Sequence, residues 1–213
     1  MSNEYICYHG TCDEIEEFSH DFMGQTTYQN AGGFYFSDDI MIANDYTIES
    51  YKRKYEYDYE TNECVSDEIL TEKAINQAHV YKCKVTMNNP LILDSTDIMH
   101  REKRIIQNYG ENVLDPQKVM YLINIMQNRK YEKDCEIQDD FFEDFIQYFE
   151  TEIYNEETEE YEYEEKEPYD GLIINNAIDG IADYSNYNES TVVIALDNSQ
   201  IEILERISTT DMN

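Results

Sequence analysis

Near the C-terminus two apolar runs, Thr191–Leu196 and Ile201–Leu204, are separated only by Asp197, Asn198, Ser199 and Gln200. Parallel neighbouring strands need a crossover of a dozen or more residues, usually a helix, and four leave no room for one. A third run, Gly171-Leu172-Ile173-Ile174, precedes them. This part of the chain therefore predicts an antiparallel or mixed sheet of short strands.

Upstream the same signals recur. Tyr5–His9 reads as a short strand ending in a His-Gly turn, after which Thr11 or Asp13 is placed to cap a short helix through Ile15 and Phe18. A polar stretch from Ser19 to Asn30 leads to Gly32-Gly33 and the aromatic strand Phe34-Tyr35-Phe36, where two glycines suggest a close backbone approach. From Asp38 an acidic cap opens a helix carrying Ile40, Met41, Ala43, Tyr46, Ile48 and Tyr51, which frays into Lys52–Glu63. His79–Val85 alternates with period two, and Leu91–Asp94 is extended after Asn88-Asn89-Pro90.

Between Ser95 and Tyr154 the pattern is helical: around Ile98–Tyr109, from Asp115-Pro116 through Met126, and from Asp139 through Phe141, Phe142, Phe145, Ile146, Phe149 and Ile153. The last of these either covers a sheet edge or presents a partner surface. Residues 156–168 form an acidic run interleaved with Tyr161 and Tyr163, read as a solvated flexible loop. The expectation is one domain over residues 1–213, with a helical insertion at about 95–154 and the acidic loop at about 155–168.

Charge narrows the ligand classes. The 213 residues hold 47 Asp plus Glu against 15 Lys plus Arg, a formal net charge of −32. Residues 150–167 alone contain ten Glu and a single Lys, yet the rest of the chain is still strongly acidic. Such a protein repels nucleic-acid phosphates and anionic membranes, so direct binding to either is excluded as its generic function. No apolar run is long enough to span a bilayer, and Met1–Tyr8 lacks the basic and apolar regions of a signal peptide. A cytoplasmic protein is expected. Cys7, Cys12, Cys64, Cys83 and Cys135 are odd in number, scattered and without a CxxC pair, so neither a disulfide framework nor a metal site is expected.

Three segments in order carry a resemblance. Tyr8-His9-Gly10-Thr11, Gly32-Gly33-Phe34-Tyr35-Phe36-Ser37 and Ala43-Asn44-Asp45-Tyr46 resemble the His-Tyr class of ADP-ribosyltransferases, the diphtheria-toxin and poly(ADP-ribose) polymerase branch. The interval from Tyr35 to Tyr46 equals the one that class uses between its strand tyrosine and its stacking tyrosine. Asn89-Pro90-Leu91-Ile92-Leu93-Asp94, Tyr169-Asp170-Gly171-Leu172-Ile173 and Asp197-Asn198-Ser199-Gln200-Ile201 are similar to the small transferase domains of bacteriophage polyvalent proteins. The resemblance implies an α+β fold: a split, mostly antiparallel β-sandwich with flanking helices, elaborated here by the helical insertion.

It also implies NAD as substrate and assigns roles. Cleaving the nicotinamide bond builds positive charge on the ribose, so a site must orient the ring, hold the ribose hydroxyls and place negative charge nearby. His9 would bond a ribose hydroxyl, and the Gly10 backbone would bind the nicotinamide amide, with Thr11 completing the motif. Tyr35 and Tyr46 would sandwich the nicotinamide ring, and Ser37 or Asn44 would supply further ribose contacts. The class normally also uses a Glu at the start of the strand before the Asp-x-x-Gln-Ile element. Counting back from Gln200 puts Val192 there, and Val does not do that work. Glu189, three residues earlier, takes the role only if its strand carries a bulge or its loop folds in. Gln200, Glu202 and Asp170 are fallbacks, Asp170 doubling as a turn former.

Three functions compete on this reading. The first is mono-ADP-ribosylation of a protein target with a basic surface, in the manner of a phage effector against a host enzyme or defence system. The second is a catalytically degenerate module that binds NAD or ADP-ribose. The third is an acidic DNA mimic occupying a basic nucleic-acid-binding cleft, which would act without NAD and lose affinity steeply with salt.

Overall fold

The computed structural model describes residues 2–20, 32–55, 57–58, 63–98, 114–131, 145–178 and 189–212. In chain order the strands are β1 Asn3–Thr11, β2 Phe34–Ser37, β3 Tyr57–Asp58, β4 Glu63–Cys64, β5 His79–Met87, β6 Pro90–Asp94, β7 Glu150–Asn155, β8 Glu160–Glu165, β9 Gly171–Ala177, β10 Ser190–Ala195 and β11 Ile201–Ser208. The helices are α1 Ile40–Tyr55, α2 Asp67–Gln77 and α3 Pro116–Tyr131. Seven strands join in the order β11-β5-β1-β2-β10-β9-β6. Every neighbouring pair is antiparallel except β6 and β9.

The ladder is uneven. β1 pairs with β5 continuously from Asn3↔Met87 to Thr11↔His79, but with β2 only at Tyr8↔Ser37. The sheet therefore divides into a half of β11, β5 and β1 and a half of β2, β10, β9 and β6. Met87 of β5 lies against Gly171 of β9, two strands that are not neighbours in the ladder, so the halves face one another. Between them sit Cys7, Phe36, Tyr81, Cys83, Val85, Met87, Ile173, Val193 and Ala195. Tyr81 and Met87 are almost fully buried, each worth on the order of 2 kcal/mol of apolar transfer. The five residues between β10 and β11 do not make a hairpin. They carry the chain from one half to the other, held by a capping box in which Asp197 and Gln200 bond each other's backbone.

Two helical layers flank this sandwich. On one outer face α3 places Val119, Leu122, Ile123 and Met126 against Leu91, Leu93, Leu172, Ile174, Val192 and Ile194. On the other, α1 packs on β1 and β5, and α2 packs on α1 through Tyr51, Leu70 and Ala74. α1 opens on an acidic cap, one residue later than the expected Asp38: the Ser37 hydroxyl accepts from Asp39 N–H at 3.1 Å, and the Asp39 carboxylate accepts from Met41 N–H at 2.7 Å.

Three sequence expectations are corrected. Residues 12–19 form bends and no α-helix. Their backbone is taken by distant side chains: Ile15 N–H donates to Tyr81 Oη at 2.7 Å and Phe18 O accepts from Asn198 Nδ2 at 3.2 Å, while Thr11 Oγ1 accepts from Asp13 N–H. The helix expected to run to Ile153 stops at residue 149, and Ile153 lies in β7. The acidic run is a two-stranded hairpin, β7 with β8, where a loop was expected. Its register is fixed by a tight turn in which Asn155 O accepts from Glu159 N–H at 2.9 Å. Phe145 and Phe149 are buried with α3, so this end of the helical segment covers the sheet. The stretch 21–30, the helix around Ile98–Tyr109 from residue 99 on, and the start of the helix at Asp139–Phe142 lie outside the described residues.

Candidate active site

The joint between β1 and β2 brings two of the expected residues together. Past Tyr8 the backbone ladder between these strands ends, and the His9 side chain takes its place: Nδ1–H donates to the Tyr35 carbonyl at 2.8 Å. A carbonyl only accepts, so the proton is on Nδ1 and Nε2 keeps its lone pair. Phe18 meets the imidazole edge-on at a centroid distance of 5.2 Å, and Phe36 is tilted against it at 5.6 Å. Burial lowers the pKa of His9, an effect partly offset by the bond to Tyr35. The ring is a neutral acceptor held in one tautomer.

Gly10 follows in β1 and faces α1. A Cβ built there would run into the Ala43 carbonyl oxygen and lie 2.5 Å from Thr47 Oγ1. Thr47 is fully buried and donates to Ala43 O at 3.0 Å and to His79 O at 3.2 Å, fixing this turn of the helix to the strands. The glycine is thus required by helix packing, whatever its backbone binds. Tyr46 belongs to the same turn, so the helix that carries it touches β1 at the residue after His9. Beside it, among the described residues, the buried Asn44 Oδ1 has no hydrogen-bond partner.

Thr11 and Ser37 serve local structure. Thr11 is buried and accepts from the turn after β1, and Ser37 is buried at the cap of α1. Tyr35 packs on the outer side of β2 against the α3 layer, opposite the face on which Phe36 meets His9.

No carboxylate from the sequence-based set joins this pair. Ile194 of β10 stands beside Tyr35 and Val192 beside Ser37. Val192 is buried against the α3 layer. Ser190 is four residues from Ile194, about 13 Å of strand, and the exposed Glu189 lies beyond it. There is a bulge, but it is on the partner. From Val192↔Ile174 to Ser190↔Ala177, β9 spends one residue more than β10, with Asn176 at φ 55°. The alternation of β10 is unbroken, so the bulge leaves Glu189 where plain counting put it. The fallbacks are engaged in turns and ion pairs. Gln200 Oε1 accepts from Leu196 and Asp197 N–H, Asp170 accepts from Asn88 and Asn89 N–H, and Glu202 pairs with Lys84.

Sequence reasoning missed two contributors. Phe18, assigned to a helix, is the wedge against His9. Asp38 closes the end of β2 on β10, accepting from Thr191 N–H at 2.7 Å while its own N–H donates to Thr191 O at 3.0 Å. An acid directly after a strand and before the helix cap was the available signal. Among the described residues there is no cluster of three or more His, Cys, Asp or Glu able to hold a metal, and no helix is long and apolar enough to cross a membrane.

A sheet split beside a histidine strand, with a tyrosine on the facing strand and a second tyrosine on the following helix, is the arrangement of an ADP-ribosyltransferase-like domain. The family model for the ADP-ribosyltransferase in polyvalent proteins matches residues 4–208, and the chain belongs to that family. No curated protein and no solved structure matches it.

Proposed function

We propose that the chain is a NAD-dependent mono-ADP-ribosyltransferase that acts in the cytoplasm and modifies a protein with a basic surface, in the manner of a phage-type effector. Membership in an ADP-ribosyltransferase family supports the activity, and families of this kind use NAD as substrate. The single observation that carries the site is the Nδ1–H bond from His9 to the Tyr35 carbonyl across the open joint.

The residues fit NAD on two counts. The fixed tautomer leaves His9 Nε2 as an acceptor for a ribose hydroxyl, and the unpaired Asn44 Oδ1 is an acceptor suited to an amide N–H. On this reading His9 orients the ribose, the Gly10 backbone takes the nicotinamide amide and Tyr46 of α1 lies against the ring, while Tyr35, its side chain packed on the α3 layer, serves through the carbonyl that holds His9. Thr11 and Ser37 shape the walls. NAD supplies the ADP-ribosyl group, and the residues around it bind, orient and exclude water. Glu189 acts only if the chain before β10 brings it toward the ribose.

The test is labelling with radioactive NAD in a host lysate. Wild type labels a protein band, and His9→Ala and Tyr46→Ala do not; labelling that persists in both variants overturns the assignment. The burial of Val192 at the place of the usual Glu favours a second reading, a module that binds NAD or ADP-ribose without turnover. Calorimetric binding with no nicotinamide release would select it.

A further inference from the structure

The β7–β8 hairpin is a two-stranded sheet of its own, separate from the seven-stranded one. Its register pairs Tyr154 with Tyr161, Glu152 with Tyr163 and Glu150 with Glu165, so these six side chains share one face. The tyrosines there are 51%, 61% and 56% exposed for Tyr154, Tyr161 and Tyr163, against 1% for Tyr81 in the core. Tyr154 and Tyr161 lie with ring centroids 5.1 Å apart, and Tyr163 Oη donates to Glu152 Oε1 at 3.2 Å. The opposite face carries Glu160, Glu162 and Glu164 beside Thr151, Ile153 and Asn155.

An isolated two-stranded hairpin is marginal in water, and this one is fixed at its root. Arg129 at the end of α3 pairs with Glu150 at 2.9 Å and Glu165 at 3.7 Å, donates to Phe149 O and stacks over the Phe149 ring. Lys166 N–H donates to Phe149 O at 2.9 Å. The same end of α3 reaches the segment leading into β2, where Gln127 donates to Gly32 O. Register puts Gly171 beside Ala195 and Ala195 beside Phe34, so the chain leaves the hairpin toward the end of the sheet where Tyr35 sits. The hairpin is an arm rooted on the end of α3, at the end of the sheet where the joint opens.

We propose that the tyrosine face of this hairpin docks an arginine-rich segment of the acceptor protein. Charge complementarity selects the occupant. Sixteen residues from Glu150 to Glu165 hold nine Glu and no Lys or Arg, which repels a second copy of the chain as well as nucleic acid. Exposed tyrosine rings interleaved with carboxylates suit a guanidinium, which stacks flat on the ring while its N–H groups fork onto a carboxylate. An ammonium does only the second, as a point charge, so arginine is preferred over lysine. The partner's identity as acceptor rests on the transferase reading, whereas the docking itself needs no NAD.

The experiment titrates the full-length protein with a synthetic arginine-rich peptide and its all-lysine counterpart, by calorimetry without NAD. Wild type binds the arginine peptide more tightly. Replacing Tyr154, Tyr161 and Tyr163 together by Ser weakens it roughly tenfold at unchanged net charge, and replacing them by Phe restores it. Equal affinity for the two peptides, or a Ser variant that is folded by circular dichroism and binds like wild type, overturns the proposal. A Phe variant that fails to restore binding does so too. Nicotinamide release from NAD without acceptor is measured in parallel. Tyrosine-dependent binding with no release sinks the transferase reading and leaves the docking face standing, and release with tyrosine-independent binding does the reverse.

Discussion

The two edges of β1 are built in opposite ways. Toward β5 the strand is laddered along its whole length and covered by α1; toward β2 it makes one pair, and beyond it an imidazole replaces the ladder. A laddered edge satisfies its backbone internally and resists change. An edge that opens after one pair, closed by a side chain that keeps an acceptor nitrogen, leaves unladdered backbone beside a hydrogen-bonding side chain. On the proposed reading one strand serves as scaffold on one side and as site on the other, the boundary running along β1 itself: Gly10 meets α1, and the His9 side chain closes the open edge. Substitutions on either side of that boundary should have different signatures.

The largest effect is expected at Gly10. Gly10→Ala forces a methyl into the Ala43 carbonyl and Thr47, both backbone-tethered and unable to yield cheaply. It should lower unfolding stability by about 3 kcal/mol, read from urea denaturation at unchanged slope. A loss under about 0.5 kcal/mol would mean that α1 is free to lift off β1, and the scaffold half of the comparison would fall.

On the site side, His9→Phe keeps a ring between Phe18 and Phe36 and removes both nitrogens. Stability should drop by about 1–2 kcal/mol, because the Tyr35 carbonyl loses its donor. NAD affinity measured by calorimetry should fall at least tenfold. Unchanged affinity beside reduced stability would make His9 a strut alone.

How much of this contrast is legible in the sequence depends on range. β1, β2, β5, β9, β10 and β11 follow from period two and short apolar runs, and α1 from its acidic start, all local signals. His9 and Tyr35 stand in motifs that occur in order, but the bond joining them spans 26 residues and no local pattern encodes it. The Phe18 wedge was lost for the same reason, since Tyr81 and Asn198 tie down its segment from far along the chain. The hairpin failed differently. Glu160-Tyr161-Glu162-Tyr163 alternates as a strand does, but its density of like charge is equally that of a solvated loop, and only cross-strand pairing decides between them. The bulge anticipated near Glu189 exists one strand away from where it would help, a matter of pairing that only the register reveals.

A smaller effect distinguishes a poised ligand group from a packing defect. Asn44 Oδ1 is buried and unpaired, which costs the free protein stability. Asn44→Leu should therefore raise unfolding stability by about 1 kcal/mol, read from a higher denaturation midpoint at unchanged slope, and weaken NAD binding at the same time. A stabilised variant with full affinity would remove Asn44 from the site, and a destabilised one would show that the rest of its amide makes a contact the fold needs.

The mildest perturbation is acid, and its sign follows from His9. Burial holds the folded pKa below the unfolded value near 6.5, so the unfolded chain takes up the proton first as pH falls. The stability associated with the neutral ring is fully present above about pH 6.5. It declines as pH drops below that value and levels off once pH passes the lowered folded pKa. NAD affinity should slide in the same window, since protonated Nε2 no longer accepts a hydroxyl. His79, also lowered by burial and by Arg206, titrates in the same direction on the laddered edge and contributes to stability but not to binding. Comparing wild type with His9→Phe between pH 7.5 and 5.5 separates the two. The variant should retain the His79 share of the stability decline and lose the pH dependence of its residual NAD binding. A variant whose residual NAD affinity still fell with pH would place the titrating ligand group on the scaffold edge and reverse the comparison.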